Sequence, residues 1–244
     1  MRAVLVIARR ELAAYFGSPL AYVFIVIFLA LAGGMTFYIG GWLERGRADL
    51  EPFFDWHPWL YLFLVPAIGM RLWAEERKTG TIEFLMTLPV TTVQAVLGKY
   101  LAAWLFIGIA LILTFPMWLT VNYLGNPDNG VILAAYIGSW LTAGGMLGIC
   151  AAVSALTKNQ VVAFVLGAAV CFLFLMSGVE IVQALFRAWA PVALVDTIAS
   201  LSLLTTFNAI AEGVIDLRHI ILFASMIAIS LFINVAVVEL KKGA

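Results

Sequence analysis

Charge is the scarcest property of this sequence. Only 11% of its 244 residues are Asp, Glu, Lys or Arg, and 14 basic residues balance 14 acidic ones. So even a distribution offers nothing to a nucleic acid, and its placement along the chain matters more than its sum. Cysteine and histidine are almost missing. Cys150 and Cys171 each fall inside an apolar run and read as small core residues rather than disulfide partners or metal ligands, which leaves the redox compartment unreadable. No His-Glu-x-x-His pattern and no pair of carboxylates within an apolar run occurs, which speaks against a membrane metalloprotease or aspartyl protease. The only crude catalytic grouping is Glu180 with His57 or His219, so no enzyme activity is expected of the chain itself. A phosphate-binding loop is missing as well, because Gly98-Lys99 is followed by Tyr100 and Val93 stands where that loop needs its first glycine. If this chain moves anything uphill, the energy comes from another chain.

Apolar residues fill the space that charge leaves. They make up 64% of the sequence, against roughly 45–50% in soluble domains, so the chain reads as an integral membrane protein. Six runs approach the ~20 residues that a ~30 Å hydrocarbon layer demands. They are Leu20 to Trp42, Trp56 to Trp73, Tyr100 to Val121, Val131 to Ala155, Val161 to Val179 and Ile220 to Val238. Pro66 and Pro116 are expected to bend the second and third. The first run is too long for a signal peptide, whose apolar core is ~7–15 residues. No run carries Asp, Glu, Lys or Arg in its interior; Arg71 and Glu180 sit at ends, with His57 and His219 at outer mouths. An ion-coupled carrier keeps ionisable groups at membrane depth, and none is visible. Trp42, Trp56, Trp59, Trp73, Tyr123 and Trp140 suggest an interfacial aromatic belt.

Lys and Arg set the orientation. With the N-terminus cytoplasmic, inner segments hold ten of them, including Arg9, Arg10, Lys99, Lys158, Lys241 and Lys242, and outer ones hold four. Both termini are then cytoplasmic. Residues 1–17 carry Leu5, Ala8, Leu12 and Phe16 at helical spacing and read as an amphipathic surface helix, after which Ser18-Pro19 caps the first span. Outside, the forty residues from Glu180 to His219 are of middling hydropathy with Pro191 among them. Val182 to Ala190 and Val192 to Leu204 look helical yet short, and read as re-entrant helices or as an ordinary outer loop. The fourth run has small residues, Gly138, Thr142, Gly145, Gly148, Ala152 and Ala155, at steps of three and four, fit for packing within one subunit, a path lining or a dimer contact.

Between the second and third runs lies the only long polar tract with several cations. Glu75, Glu76, Arg77, Lys78 and Glu83 surround Thr79-Gly80-Thr81, with Thr79 placed to N-cap a short surface helix that Pro89 stops. Thr91 and Gln94 then form a capping box that starts the next helix.

The order of these parts, with Glu75-Glu76-Arg77-Lys78-Thr79-Gly80-Thr81-Ile82-Glu83, Leu88-Pro89-Val90-Thr91 and Gly98-Lys99, resembles the ABC-2 family of ATP-binding-cassette permeases, nearest to gliding-motility-type and copper-enzyme-maturation-type subunits. The resemblance runs over essentially all 244 residues as a single transmembrane domain. It implies an all-α membrane protein with six transmembrane helices in the bacterial cytoplasmic (inner) membrane. Residues 1–17 would be the connecting helix, 75–90 the coupling helix and 180–219 the re-entrant region. Glu75, Glu76, Arg77, Thr79, Gly80, Thr81 and Glu83 would engage a separate ABC ATPase, two copies per complex, which alone would bind ATP-Mg. A second permease subunit, identical or homologous, membrane lipid and an extracytoplasmic accessory protein complete the implied partners. The implied function is an exporter, or mechanical work across the membrane on a substrate the sequence does not reveal. An ATP-driven scaffold without transport, and a channel or secondary carrier, are the alternatives.

Overall fold

The computed structural model describes residues 2–80, 90–187 and 190–241, which are helical with no strand among them. Helix α1, Arg2–Phe16, ends at the Ser18 N-cap that starts α2, Pro19–Gly34, as Ser-Pro predicts. A π-helical turn, Met35–Ile39, prolongs α2, and there the Thr36 hydroxyl donates to the Ala32 carbonyl at 2.6 Å. Short α3, Glu51–Phe54, leads into α4, His57–Gly69, and α5, Arg71–Thr79. Helix α6, Thr92–Ile112, opens on the capping box of Thr91 and Gln94. It breaks at Leu113 and Thr114, after which Pro116 lies in the first turn of α7, Phe115–Leu124, where its missing N–H costs nothing. Then follow α8, Asn129–Leu156, α9, Gln160–Met176, α10, Glu180–Arg187, α11, Val192–Ser200, α12, Leu203–Ala211, and α13, Leu217–Leu240.

Helix α8 is the axis. Its apolar window is 78% buried, against 28% for the α2 segment and 17% for α13. Lipid supplies no hydrophobic drive between helices, so close packing and interhelical hydrogen bonds must hold them. The small residues of α8 allow that packing. A methyl placed on Gly138 would come within 2.7 Å of Ile210 Cγ2, on Gly144 within 2.7 Å of Trp104 Nε1, and on Gly148 within 3.1 Å of Ser230 Cβ. Of the alternatives, packing within one subunit is therefore the one these glycines serve. Trp104 and Trp140 stack at 4.2 Å, each indole N–H donating to the other's carbonyl, and Tyr100 donates to Gly144 O, which binds α6 to α8. Cys150 and Cys171 are buried with their sulfurs 3.7 Å apart, joining α8 to α9 as small core residues.

Four helices are long and apolar enough to cross a membrane: Pro19–Ile39, Thr92–Leu124, Asn129–Leu156 and Leu217–Leu240. The bent pair α11 and α12, meeting at 57°, makes up to five if it is one span. Helices α4 and α9, at 13 and 17 residues, fall short on length alone.

Several expectations need correction. Thr79 closes α5 instead of capping a new helix, because Gly80 takes the left-handed conformation (φ 74°) and Arg77 and Lys78 occupy the last turn, a C-terminal signature. The coupling helix therefore does not begin at 75, and its remainder in 81–89 lies outside the described residues, as do Thr81, Glu83 and Lys242. In α1, Leu5 is 66% exposed while Ile7 and Ala8 are buried, so the packed face is turned by about one position from the expected stripe. Trp42 and Trp73 are buried and Trp140 is stacked on Trp104; of the expected belt, Tyr123 is the strongly exposed member at 90%. His57 does not sit at a mouth but is wholly buried. The stretch after Glu180 folds as three helices, the third, α12, being unforeseen and N-capped by Ser202.

Candidate functional site at the Lys99 junction

One turn and a half into α6, Gly98 and Lys99 meet α1. A methyl on Gly98 would lie 2.6 Å from Ile7 Cγ2, so only glycine lets α1 come this near. Lys99 beside it is 3% exposed, inside a helix that counts as a span, contrary to the expectation of charge-free spans. Its ammonium is 2.6 Å from Glu76 Oε1 on α5 and 3.5 Å from Glu11 Oε1 on α1, and 5.6 Å from the centre of the Trp73 ring. Arg10 also pairs with Glu11, at 2.8 Å. Burial works against ionising Glu11, but Lys99 and Arg10 outweigh it and hold its carboxyl below the usual range. Burial, helped by the charge of Glu11, pushes the Tyr15 hydroxyl up.

Helix α5 is fastened to α8 as well. The Ser154 hydroxyl accepts from the N–H of Trp73 and Ala74 at 3.2 and 3.1 Å and donates to Met70 O at 2.8 Å. A side chain thus occupies the break between α4 and α5, where the helical ladder lapses. Arg77 donates to Ala155 O at 2.6 Å and Lys241 to Leu156 O, two cations at the negative end of α8. Burial, then the neighbouring Arg77 and Lys158, push the Lys241 ammonium down.

The residues expected to engage a partner are thus divided. Glu76 and Arg77 bind α5 to α6 and α8, within the chain. Glu75 pairs with Arg71 at 2.8 Å on the exposed side. Thr79 donates back to the carbonyls of Glu75 and Glu76, and Gly80 ends the helix. Sequence reasoning missed Lys99, Glu11 and Ser154 as site residues. The available signal was a single cation seven residues into an otherwise uncharged helix.

The opposite end of the bundle is different. His57 Nδ1 lies 2.8 Å and the Tyr61 hydroxyl 2.7 Å from Ser139 Oγ, with Phe53, Phe54 and Phe28 around the imidazole. Above it a cavity of about 450 Å³ is lined by Asp49, Glu51, Asp55, Asp128 and Glu212 over Phe54 and Ile132. Among the described residues no group of His, Cys, Asp or Glu is arranged to hold a metal, and no hydrogen bond or ion pair joins Glu180 to His57 or His219.

An all-helical bundle with several membrane-length helices, an ion-paired junction at one end and its polar tract leading off that junction is a membrane domain built to be moved. The chain belongs to the ABC-2 family: the family model described as ABC-2 family transporter protein matches residues 59–239. It is thereby an integral membrane permease component of an ABC transporter, a class that normally works with an ABC ATPase and is generally not itself enzymatic. The matched stretch takes in Lys99, Glu76 and Ser154, while Glu11 lies before it. No curated protein matches the chain.

Proposed function

We propose that this chain is the passive half of an ABC machine, receiving force from a separate ATPase and converting it into export or mechanical work on a substrate still to be identified. The single observation that carries this is Lys99, which ties Glu76 on α5 and Glu11 on α1 to the start of α6. A push on the segment that follows Gly80 reaches α5 first, and the junction makes α1, α5 and α6 move together, as rigid bodies do in packed cores. The coupling element is then the 81–89 stretch with the end of α5, and ATP-Mg binds on the partner.

In this reading the chain crosses six times. The four long helices are joined by α9 and by the α4–α5 pair, and successive crossings alternate in direction. Helices α10 to α12 form the re-entrant region. The cations Arg10, Arg77, Lys78, Lys99, Lys158 and Lys241 gather at one end, which places that end and both termini in the cytoplasm of a bacterial inner membrane by the positive-inside rule. Two ATPase copies and a second permease subunit complete the assembly. A scaffold that works without transport gains from the filled glycine face of α8, whose small positions are occupied by the chain's own side chains.

The test is ATPase stimulation in nanodiscs by the permease with its ATPase subunit. Glu76→Lys and Gly80→Pro should abolish stimulation or release the ATPase, while Glu75→Gln should leave both intact. Normal coupling in the first two variants would refute the proposal.

A further inference from the structure

A second site opens beside the junction. Between α1, α5 and α6 lies a cavity of about 150 Å³ bordered by Glu11, Tyr15, Ser18, Arg71, Glu75 and Lys99, with room for several waters or one small polar group. Its walls hold donors that the protein leaves over. Tyr15 stacks on Phe106 at 5.2 Å, and among the described residues its hydroxyl has no hydrogen-bond partner. Arg71 commits Nε and Nη2 to Glu75, leaving Nη1. The Ser18 hydroxyl accepts from Leu20 N and keeps its own proton to give. Such convergent donors, one of them a guanidinium, suit a phosphate oxygen.

The charges narrow the ligand further. Arg71 and Lys99 face Glu11 and Glu75, so an isolated anion meets two carboxylates and an isolated cation meets two bases. A group with both signs a few ångströms apart satisfies all four, and Glu75, the most exposed at 41% of its side chain, stands free to take a cationic end.

Location supplies the source. Ser18 is the N-cap of the first membrane-length helix, so the cavity lies where the chain enters the membrane, at headgroup depth. Exposed apolar side chains flank it: Leu5 at 66% and Val6 at 67% on α1, and Tyr22 at 54% and Val23 at 48% on α2. We propose that this cavity holds the zwitterionic phosphodiester headgroup of a membrane phospholipid, its phosphate on Tyr15 and Arg71 and its ammonium on Glu75, with the acyl chains along α1 and α2. The proposal requires α2 to be a membrane span and is independent of ATPase coupling.

Native mass spectrometry of the delipidated full chain in mild detergent, without the ATPase, tests it. Phosphatidylethanolamine should bind at least about tenfold more tightly than diacylglycerol, and Tyr15→Phe should weaken it about tenfold, the loss of one hydrogen bond to a charged group. Tyr22→Phe, whose hydroxyl donates to Phe16 O instead, should bind normally. Tyr15→Phe keeps the stacked ring and so reports on the hydroxyl even if Arg71→Gln unfolds the chain. Equal retention of diacylglycerol, unchanged binding by Tyr15→Phe, or phosphatidylglycerol bound as tightly as phosphatidylethanolamine would each overturn the site. Competition by soluble glycerophosphoethanolamine at equal concentration would uphold the phosphodiester chemistry and overturn the membrane source.

Discussion

The two ends of this helix bundle use charge in opposite ways. At the Lys99 end each charged group reaches to a different helix: Lys99 to Glu76 and Glu11, Arg77 to Ala155 O, Lys241 to Leu156 O. At the His57 end the buried network is neutral in its partners, a serine and a tyrosine within an aromatic wall, and the carboxylates stand together around a cavity with Arg45–Glu51 as the ion pair among them. Opposite charges shared between helices fix their relative positions, and like charges facing a cavity push its walls apart. The first arrangement transmits displacement; the second leaves a wall able to open.

The sharpest way to break this contrast is Lys99→Met. It strands two partly buried carboxylates, and an unfolding measurement in detergent should register a loss of about 3–5 kcal/mol. Adding Glu76→Leu should recover much of it, since an apolar pair replaces a buried ionic one at little cost. His57→Phe should cost less, about 1 kcal/mol, because the Ser139–Tyr61 hydrogen bond survives and a ring still fills the aromatic nest. If His57→Phe proved the more damaging, the stiff end would be the wrong one.

The smallest effect is in the pH dependence. Glu11 has a lowered folded value, so its contribution is present above its ordinary 4.5 and is lost as pH falls through the folded value. Asp55 runs the other way. Burial and then Glu51 raise its carboxyl, so its penalty stands at neutral pH and is relieved as pH falls through that raised value. On acidification from neutral, the His57 end should tighten before the Lys99 end loosens. Hydrogen exchange on α1 and α3 between pH 7 and 4 would read the order, and Asp55→Asn should remove the first phase alone.

Local signals were legible wherever their partners are near in sequence. The Thr91–Gln94 box and the Ser18-Pro19 start formed as the sequence indicates, because each needs only a few consecutive residues. At Thr79 two local rules competed. Thr favours an N-cap, but Gly80 with Arg77 and Lys78 before it favours a C-terminus, and the latter prevailed with α5 already fastened by Ser154. The glycines of α8 announced close contact without naming the helices that would fill it. Lys99 reads in sequence as one more inner cation, since Glu76 and Glu11 lie 23 and 88 positions away.

Composition and run length alone made this chain a helical membrane protein, since backbone groups in hydrocarbon must bond within their own segment. Its polar tract likewise marked the family. Which face of α1 packs, why a lysine is tolerated inside a span and where a headgroup fits were decided only by the tertiary structure. Each depends on charges and cavities assembled from helices far apart along the chain.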